Sequence, residues 1–136
     1  MVATIKVNGL RELQGALKAA ENATPKMLRL ALNEAAEVVV DYAKPQVPSR
    51  SGAARGSMKA RSTQKEARVS AGGRRAPYYP WLDFGGKVGK GDSVKRPFYS
   101  EGRYIYPTLR KRHPEIIEAM AVALAGVVRE AGLEVT

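Results

Sequence analysis

The sequence contains few side chains that could converge on a catalytic centre. His113 is the only histidine, and its place between Arg112 and Pro114 is typical of an exposed residue at a helix end rather than of a general base. Asp83 and Glu101 could assist phosphodiester cleavage together with an arginine, but nothing in the sequence brings them together. An isolated acid beside an aromatic run is more typical of a structural partner for a basic side chain. The chain has no cysteine, which excludes disulfides, thiolate metal sites and cysteine nucleophiles.

The glycine-rich residues 85–93 invite comparison with a phosphate-binding loop. A P-loop requires lysine and then serine or threonine after its last glycine, but Asp92 follows Gly91 here. The dinucleotide-binding pattern fails as well, because Val94 stands where its third glycine belongs. We therefore predict a flexible loop, no cofactor, no metal site and no enzymatic activity. A small basic nuclease or toxin is the remaining catalytic alternative.

The positive charge of the chain is concentrated in its middle. The sequence has 23 Lys and Arg against 13 Asp and Glu, a net charge of +10. The middle carries the excess: residues 44–75 hold nine basic residues and one acidic residue, and residues 85–112 hold eight basic and two acidic residues. The ends do not, because residues 1–43 hold five of each kind and residues 113–136 hold one basic and four acidic residues. Such a segment indicates an anionic partner, either DNA or an acidic neighbouring subunit, unless it is only a solvated polar surface. The candidate contact residues are Arg50, Arg55, Lys59, Arg61, Arg74, Arg75, Lys95 and Arg96.

Aromatic residues cluster in the same part of the chain. Eight of the nine lie between Tyr78 and Tyr106, interleaved with basic residues as in surfaces that stack bases. The interpretation we favour is that four of them form the apolar face of a small sheet covered by helices. Those four are Tyr78, Trp81, Phe84 and Phe98.

Helical periodicity predicts the elements that frame this middle segment. A short helix is expected over residues 10–21. A long helix should begin at Pro25, capped by Thr24, and end before Pro45. Its predicted apolar stripe is Leu28, Leu32, Ala35, Val39 and Tyr42. A C-terminal helix should carry Pro114 in its first turn and end at Gly132, with residues 107–112 as a separate turn. Its predicted stripe is Ile117, Met120, Leu124, Val127 and Ala131.

The remaining segments predict short strands and loops. Residues 58–61 and 67–71 should pair as a hairpin or sheet edge. The aromatic content of residues 78–84 favours a strand, and that of residues 98–106 favours another extended segment. Residues 45–57 predict an exposed loop. Residues 1–136 thus form one α+β domain, in which a small, mainly antiparallel sheet packs against a long helix of the N-terminal half and a C-terminal helix, with long basic loops.

No segment predicts contact with a membrane. The longest apolar run, residues 119–128, is far below the length that spans a bilayer, and the first residues lack a basic region followed by an apolar stretch. We therefore expect a soluble protein in the cytoplasm where it is made.

Short motifs in a particular order carry a resemblance to a known family. They are Gly9-Leu10-Arg11-Glu12-Leu13, Lys44-Pro45-Gln46-Val47-Pro48, Ser51-Gly52-Ala53-Ala54-Arg55-Gly56-Ser57, Ala76-Pro77-Tyr78 with Asp83-Phe84-Gly85, and Arg96-Pro97-Phe98 with Pro107-Thr108-Leu109. Together they span nearly the whole chain, which resembles the tail-completion, or neck, proteins of long-tailed bacteriophages, the family related to the minor tail protein Z of phage lambda. The motif residues expected to be structural are Gly52, Pro77, Tyr78, Phe84, Gly85, Pro97 and Phe98.

The resemblance implies a structural virion protein without catalytic residues. Such a protein assembles as a homo-oligomeric ring at the head-to-tail junction, contacts other neck and tail proteins, and surrounds the path of the genomic DNA. It would be found in the virion neck or tail, and in the host cytoplasm during assembly. The alternative that the residues leave open is a small basic nucleic-acid-binding protein.

Overall fold

The structure, a computed structural model, describes residues 1–5 and 25–130. Within these ranges the strands are β1 (Val2–Ile5), β2 (Lys59–Ala60), β3 (Ala67–Ser70), β4 (Gly86–Val88) and β5 (Val94–Arg96). The α-helices are α1 (Pro25–Ala43), α2 (Ala53–Ser57), α3 (Tyr79–Phe84), α4 (Ile105–Lys111) and α5 (His113–Glu130). This architecture confirms the predicted α+β class. The predicted helix over residues 10–21, the Thr24 cap and the helix end at Gly132 lie outside the described residues.

Helices α1 and α5 form the larger part of the core. Helix α1 begins at Pro25, as predicted, and ends just before Lys44 and Pro45, where the missing N–H of proline interrupts the helical hydrogen bonds. Its buried positions recur at helical spacing, and half of them are alanine, which lets the neighbouring elements approach closely. They are Leu28, Ala31, Leu32, Ala35, Ala36, Val39, Val40 and Ala43. The predicted stripe differs at Tyr42, which is 38% exposed.

Helix α5 lies against α1 in the opposite direction, since Arg112, just before α5, contacts Tyr42 near the end of α1. Pro114 lies in its first turn, as predicted. Ile116 takes the first core position, while the predicted Ile117 is only half-buried. Met120, Leu124 and Val127 are buried as expected.

A three-stranded antiparallel sheet in the order β1–β3–β2 covers one side of α1. The predicted pairing of residues 58–61 with residues 67–71 is confirmed, with Ala60 opposite Val69. Side chains alternate along β1 and β3, and the buried ones face the core. They are Ala3, Ile5, Ala67 and Val69. The opposite face of the sheet carries polar and basic side chains together with the exposed Val2.

Two segments predicted to be extended are not strands, and both predictions were wrong. Residues 79–84 form α3, because Pro80 lies in the first turn, where its missing N–H is not needed. The four-residue spacing of Tyr79 and Asp83 places both side chains on the buried face of α3. Residues 98–104 are irregular, with a turn at residues 100–101, and residues 105–106 belong to α4. The predicted separate turn at residues 107–112 also lies largely within α4. Aromatic content favours a strand locally, but burial of Asp83 and Tyr79 determines the structure here.

Two segments predicted as loops contain regular structure. Residues 85–93 hold β4 and the turn of a hairpin with β5, in which Lys87 lies opposite Lys95. Residues 45–57 include part of a 3₁₀ turn and helix α2. The guanidinium group of Arg55 closes this second segment by donating to the carbonyl oxygen of Val47 at 3.0 and 2.8 Å. Buried carbonyl groups need such donors, so the segment is folded around the arginine.

Replacing Gly85 with alanine is expected to destabilise the protein strongly. Gly85 has a φ of +86°, and a Cβ atom there would lie 2.0 Å from the carbonyl oxygen of Pro97. We expect a loss of about 3 kcal/mol or more in the free energy of unfolding in urea, because overlap with the backbone adds to the cost of the left-handed conformation. Gly73→Ala is the matched control: Gly73 has a φ of +74°, and a Cβ atom there would have nothing within 4 Å, so the loss should be only about 1–2 kcal/mol. Equal losses would contradict the packing constraint at Gly85.

Candidate interaction surfaces

The buried carboxylate of Asp83 organises the aromatic segment. Its side chain is completely buried, and its Oδ2 atom accepts a hydrogen bond from the hydroxyl group of Tyr79 at 2.9 Å. Its Oδ1 atom accepts hydrogen bonds from the backbone N–H groups of Arg103 at 2.7 Å and of Tyr104 at 3.2 Å. A buried carboxylate requires such donors, since it has lost its hydration. Asp83 therefore ties helix α3 to residues 103 and 104.

The chemistry around Asp83 keeps its partners in place. Burial, and then the negative charge of Asp83, raise the pKa of Tyr79 above its ordinary value of 10.0, so the hydroxyl group stays protonated and donates. Gly102 approaches so closely that a Cβ atom there would lie 2.5 Å from Oδ1 of Asp83, and its φ of +75° suits glycine. Both carboxylate oxygens are thus enclosed by the protein.

Two arginines connect the segments on either side of the hairpin. Arg103 donates to the carbonyl oxygen of Asp83 at 3.0 Å and also to that of Pro97, and its guanidinium group lies 4.1 Å from the ring centre of Tyr99. Arg96 donates to the carbonyl oxygen of Leu82 at 3.1 Å and to the hydroxyl group of Tyr104 at 3.1 Å. The two segments are consequently held together as one unit.

The residues considered for catalysis are not assembled into an active site. The Asp83 carboxylate is occupied by hydroxyl and backbone donors, rather than by the basic side chain expected from the sequence. Glu101 is exposed and pairs with Arg110 at 2.7 Å. His113 is exposed at the start of α5. Across residues 1–5 and 25–130, no group of three or more His, Cys, Asp or Glu side chains could hold a metal ion.

The eight basic residues predicted as contacts divide into two classes. Arg55 and Arg96 are half-buried and donate to backbone carbonyl groups, so their guanidinium groups serve the fold. The side chains of the other six are exposed and make no hydrogen bond or ion pair within the described ranges. They are Arg50, Lys59, Arg61, Arg74, Arg75 and Lys95. Arg75 lies against Gly56, where a Cβ atom would be 2.9 Å from its Nη2 atom.

A basic sheet face, made of Lys59, Arg61 and Arg68, is the first exposed surface. Lys59 lies opposite Ser70, and the N–H group of Arg61 donates to the carbonyl oxygen of Arg68 at 2.9 Å, so alternation places the three cations on one side of the sheet. Arg68 pairs with Glu66. The sequence identified Lys59 and Arg61 but missed Arg68, because only the strand register places it beside them.

The β4–β5 hairpin is a second basic surface. Lys87 and Lys95 lie directly opposite each other, and Lys90 is in the turn. Sequence reasoning named Lys95 and missed Lys87, since the pairing of the strands was not predicted. At the base of the hairpin is an open cavity of about 390 Å³. Its lining residues are Gly86, Lys87, Lys95, Arg96, Pro97 and Phe98.

The four aromatic residues predicted to line a sheet do not do so. Phe98 is 67% exposed and Tyr78 is 43% exposed. Trp81 and Phe84 are half-buried on α3, and the ring of Phe84 lies 6.1 Å from that of Tyr106. Tyr79, which the prediction left out, is the fully buried aromatic residue, because it faces Asp83.

The other residues of the family motifs have varied surroundings. Gly52 has a φ of +84° and precedes α2, and Gly85 packs against the carbonyl group of Pro97. Pro77 and Pro97 are exposed. The neighbouring motifs are joined by the N–H group of Tyr99, which donates to the carbonyl oxygen of Phe84 at 2.7 Å.

An open acidic groove of about 440 Å³ runs between α1 and α5. Its lining residues are Val38, Asp41, Tyr42, Glu115, Glu118 and Ala119. Arg112 pairs with Glu115 at 2.9 Å and lies 4.1 Å from the ring centre of Tyr42. Hydrogen bonds from Tyr42 and Arg112 lower the pKa of Glu115. Sequence reasoning missed this groove, because its acids come from two distant helices.

Comparison of the chain with protein-family models, with curated proteins and with solved structures finds no match. Among the described helices, none combines the length and the apolar character needed to cross a bilayer.

Removing the Asp83 carboxylate is expected to destabilise the protein. Asp83→Ala leaves one hydroxyl and two backbone N–H donors without their acceptor, which should lower the free energy of unfolding by about 3–5 kcal/mol. Asp83→Asn keeps an oxygen for the backbone donors and should lose about 1–2 kcal/mol. Urea unfolding measures both changes. The exposed Glu37→Ala on α1 is the control and should change stability by less than about 0.5 kcal/mol. A loss for Asp83→Ala no larger than for Glu37→Ala would contradict the role given to this carboxylate.

Proposed function

We propose that the chain is a structural protein of the neck or tail of a long-tailed bacteriophage. It would form a homo-oligomeric ring that completes the tail and joins it to the head. The observation that carries the proposal is the convergence of two motifs of the resemblance, Asp83-Phe84-Gly85 and Arg96-Pro97-Phe98. Gly85 lies against Pro97, and Arg96 bonds to the carbonyl group of Leu82 next to Asp83.

This convergence supports the resemblance for a physical reason. The two motifs flank the β4–β5 hairpin, whose base pairs Gly86 with Arg96, and each supplies contacts to the other. The missing side chain of Gly85 makes room for the carbonyl group of Pro97, and Arg103 bonds to the carbonyl groups of both Asp83 and Pro97. Motifs that share one packing requirement are less easily explained as separate chance similarities than motifs scattered over the surface.

The surfaces also suit a subunit of a ring. Unpaired basic side chains lie on the sheet face and the hairpin, whereas acidic side chains line the groove between α1 and α5. Surfaces of opposite charge on different elements favour heterologous contacts, in which one surface meets a different surface of the next copy. Such contacts generate a ring when the rotation closes.

Loss of this protein from its phage is expected to separate heads from tails. A phage with an amber mutation in the coding sequence of this protein, grown in a non-suppressing host, should yield DNA-filled heads and unattached tails. The reason is that the ring that joins them is missing. Negative-stain electron microscopy of the lysate measures the two populations. The same phage grown in a suppressing host is the control and should give complete particles. Normal infectious particles in the non-suppressing host would contradict the proposal.

The second candidate function is nucleic-acid binding by the basic sheet face. Three cations on one exposed face, Lys59, Arg61 and Arg68, could each contact a phosphate group, and only Arg68 has an acidic partner, Glu66, within the described residues. In a ring, the same face could meet DNA passing through the opening.

The salt dependence of DNA binding tests this second candidate. The log affinity of the purified protein for duplex DNA should fall linearly with log salt, and the triple variant Lys59→Ala, Arg61→Ala, Arg68→Ala should reduce that slope by about three. Fluorescence anisotropy measures the affinity. The matched control is Lys87→Ala, Lys90→Ala, Lys95→Ala on the hairpin, which should leave the slope unchanged. Absence of binding even at about 50 mM salt would eliminate this candidate.

A further inference from the structure

We infer that the β4–β5 hairpin of one subunit docks, through Lys87 and Lys95, into the groove between α1 and α5 of a second copy of this chain. The inference rests on the proposed function, since it names the contact by which a ring would form. It commits to another copy because the chain itself carries both complementary surfaces.

The hairpin carries a repulsion that its own fold does not relieve. Lys87 and Lys95 are directly opposed across the two strands, and like charges in that position are destabilising. Neither lysine side chain has a hydrogen-bonding or ionic partner within residues 1–5 and 25–130, and both residues are exposed. Carboxylates placed against the pair would remove the repulsion and add two favourable interactions.

The base of the hairpin is fixed while its length is exposed. At the β4 side, the indole N–H group of Trp81 donates to the carbonyl oxygen of Gly86 at 3.1 Å. At the β5 side, the guanidinium group of Arg96 donates to the carbonyl oxygen of Leu82. Residues 87–95 are all exposed. A projection held at its base can dock with little loss of conformational freedom, which favours binding.

An apolar side chain lies beside the two lysines. Phe98 is 67% exposed and lines the same cavity as Lys87 and Lys95. Removing such a large ring from water is favourable, so a partner should present apolar atoms next to its carboxylates.

The groove between α1 and α5 offers both carboxylates for the lysines and apolar atoms for Phe98. Asp41 and Glu118 are exposed, and their carboxylates have no hydrogen-bonding or ionic partner in the described part of the chain, whereas the carboxylate of Glu115 is paired with Arg112. Val38 and Ala119, both half-buried, line the same groove and provide apolar atoms. Two unpaired carboxylates beside an apolar floor therefore match two unpaired lysines beside Phe98.

The contact joins two different surfaces, the hairpin and the groove. An open chain of subunits therefore has one unoccupied hairpin at one end and one unoccupied groove at the other. Heterologous contacts of this kind generate a ring when the rotation between neighbouring copies closes. A ring built in this way has every hairpin and every groove occupied.

Charge reversal tests the contact directly. The full-length variants are Lys87→Glu with Lys95→Glu, Asp41→Lys with Glu118→Lys, and the combination of all four changes. Sedimentation velocity over a range of protein concentrations measures self-association. The control, Lys59→Glu with Arg61→Glu, reverses two exposed cations on the basic sheet face. Far-UV circular dichroism and the urea midpoint check that each variant is folded, which we expect because all the changed side chains are exposed.

Each double variant should weaken self-association about 100-fold or more, because like charges then face each other across the contact. The variant that combines all four changes should regain most of the lost affinity for self-association, since the charges of the two surfaces are exchanged. The control variant should assemble like the unchanged protein. Recovery would not occur if the two surfaces met different partners.

Four results would overturn the inference. Assembly of the hairpin variant at unchanged affinity would reject the contact while leaving the ring of the proposed function intact. Failure of the variant with all four changes to regain self-association would reject the pairing of these two surfaces. An unchanged protein that stays monomeric at every concentration would reject both the contact and the ring. If the hairpin variant lost only duplex DNA binding, the hairpin would be a nucleic-acid surface and the inference would be wrong.

Discussion

The buried carboxylate of Asp83 is the constraint on which the middle of this protein depends. A charged group without water must receive hydrogen bonds, and the protein supplies them from the hydroxyl group of Tyr79 and from two backbone N–H groups. Satisfying both oxygens requires α3 to turn Tyr79 inward and residues 103 and 104 to come close. The close approach in turn leaves no room for a side chain at Gly102.

The same constraint decides which basic residues remain available for a partner. Arg96 and Arg103 bond to backbone carbonyl groups beside Asp83, so their charges stabilise the fold. The hairpin between α3 and Arg103 is held at its base, and its lysines donate to no such carbonyl groups within the described residues. A basic segment that looks uniform in the sequence is thereby divided into internal arginines and external lysines, with the sheet face as a further external surface. In the proposed ring, the external cations are the ones that would meet a neighbouring subunit or the DNA.

The helical core sets the position of the acidic groove. Small buried residues such as Ala35 and Ala36 allow the elements around α1 to pack closely, and polar residues of α1 and α5 line one groove. Asp41 and Glu118 reach the same groove only because the helices run in opposite directions. The acidic and basic surfaces thus arise from separate parts of the fold, which is the arrangement that contacts between different surfaces of identical subunits require.

The sequence by itself determined the α+β class, the start of α1 at Pro25, most of the buried stripe of α5 and the pairing of β2 with β3. These features depend on local periodicity, proline placement and turn residues, which are readable over a few residues. Only the tertiary structure decided that residues 79–84 are helical, that β4 and β5 pair, and that Arg55 and Arg96 face inward. The hydrogen bonds of Asp83 reach residues 103 and 104, and those of Arg55 and Arg96 reach the carbonyl groups of Val47 and Leu82. None of these partners, nor the pairing of β4 with β5, follows from the periodicity of a single segment. Burial of a polar group can override the local preference of an aromatic segment for a strand, because leaving that group unpaired costs more than the preference contributes.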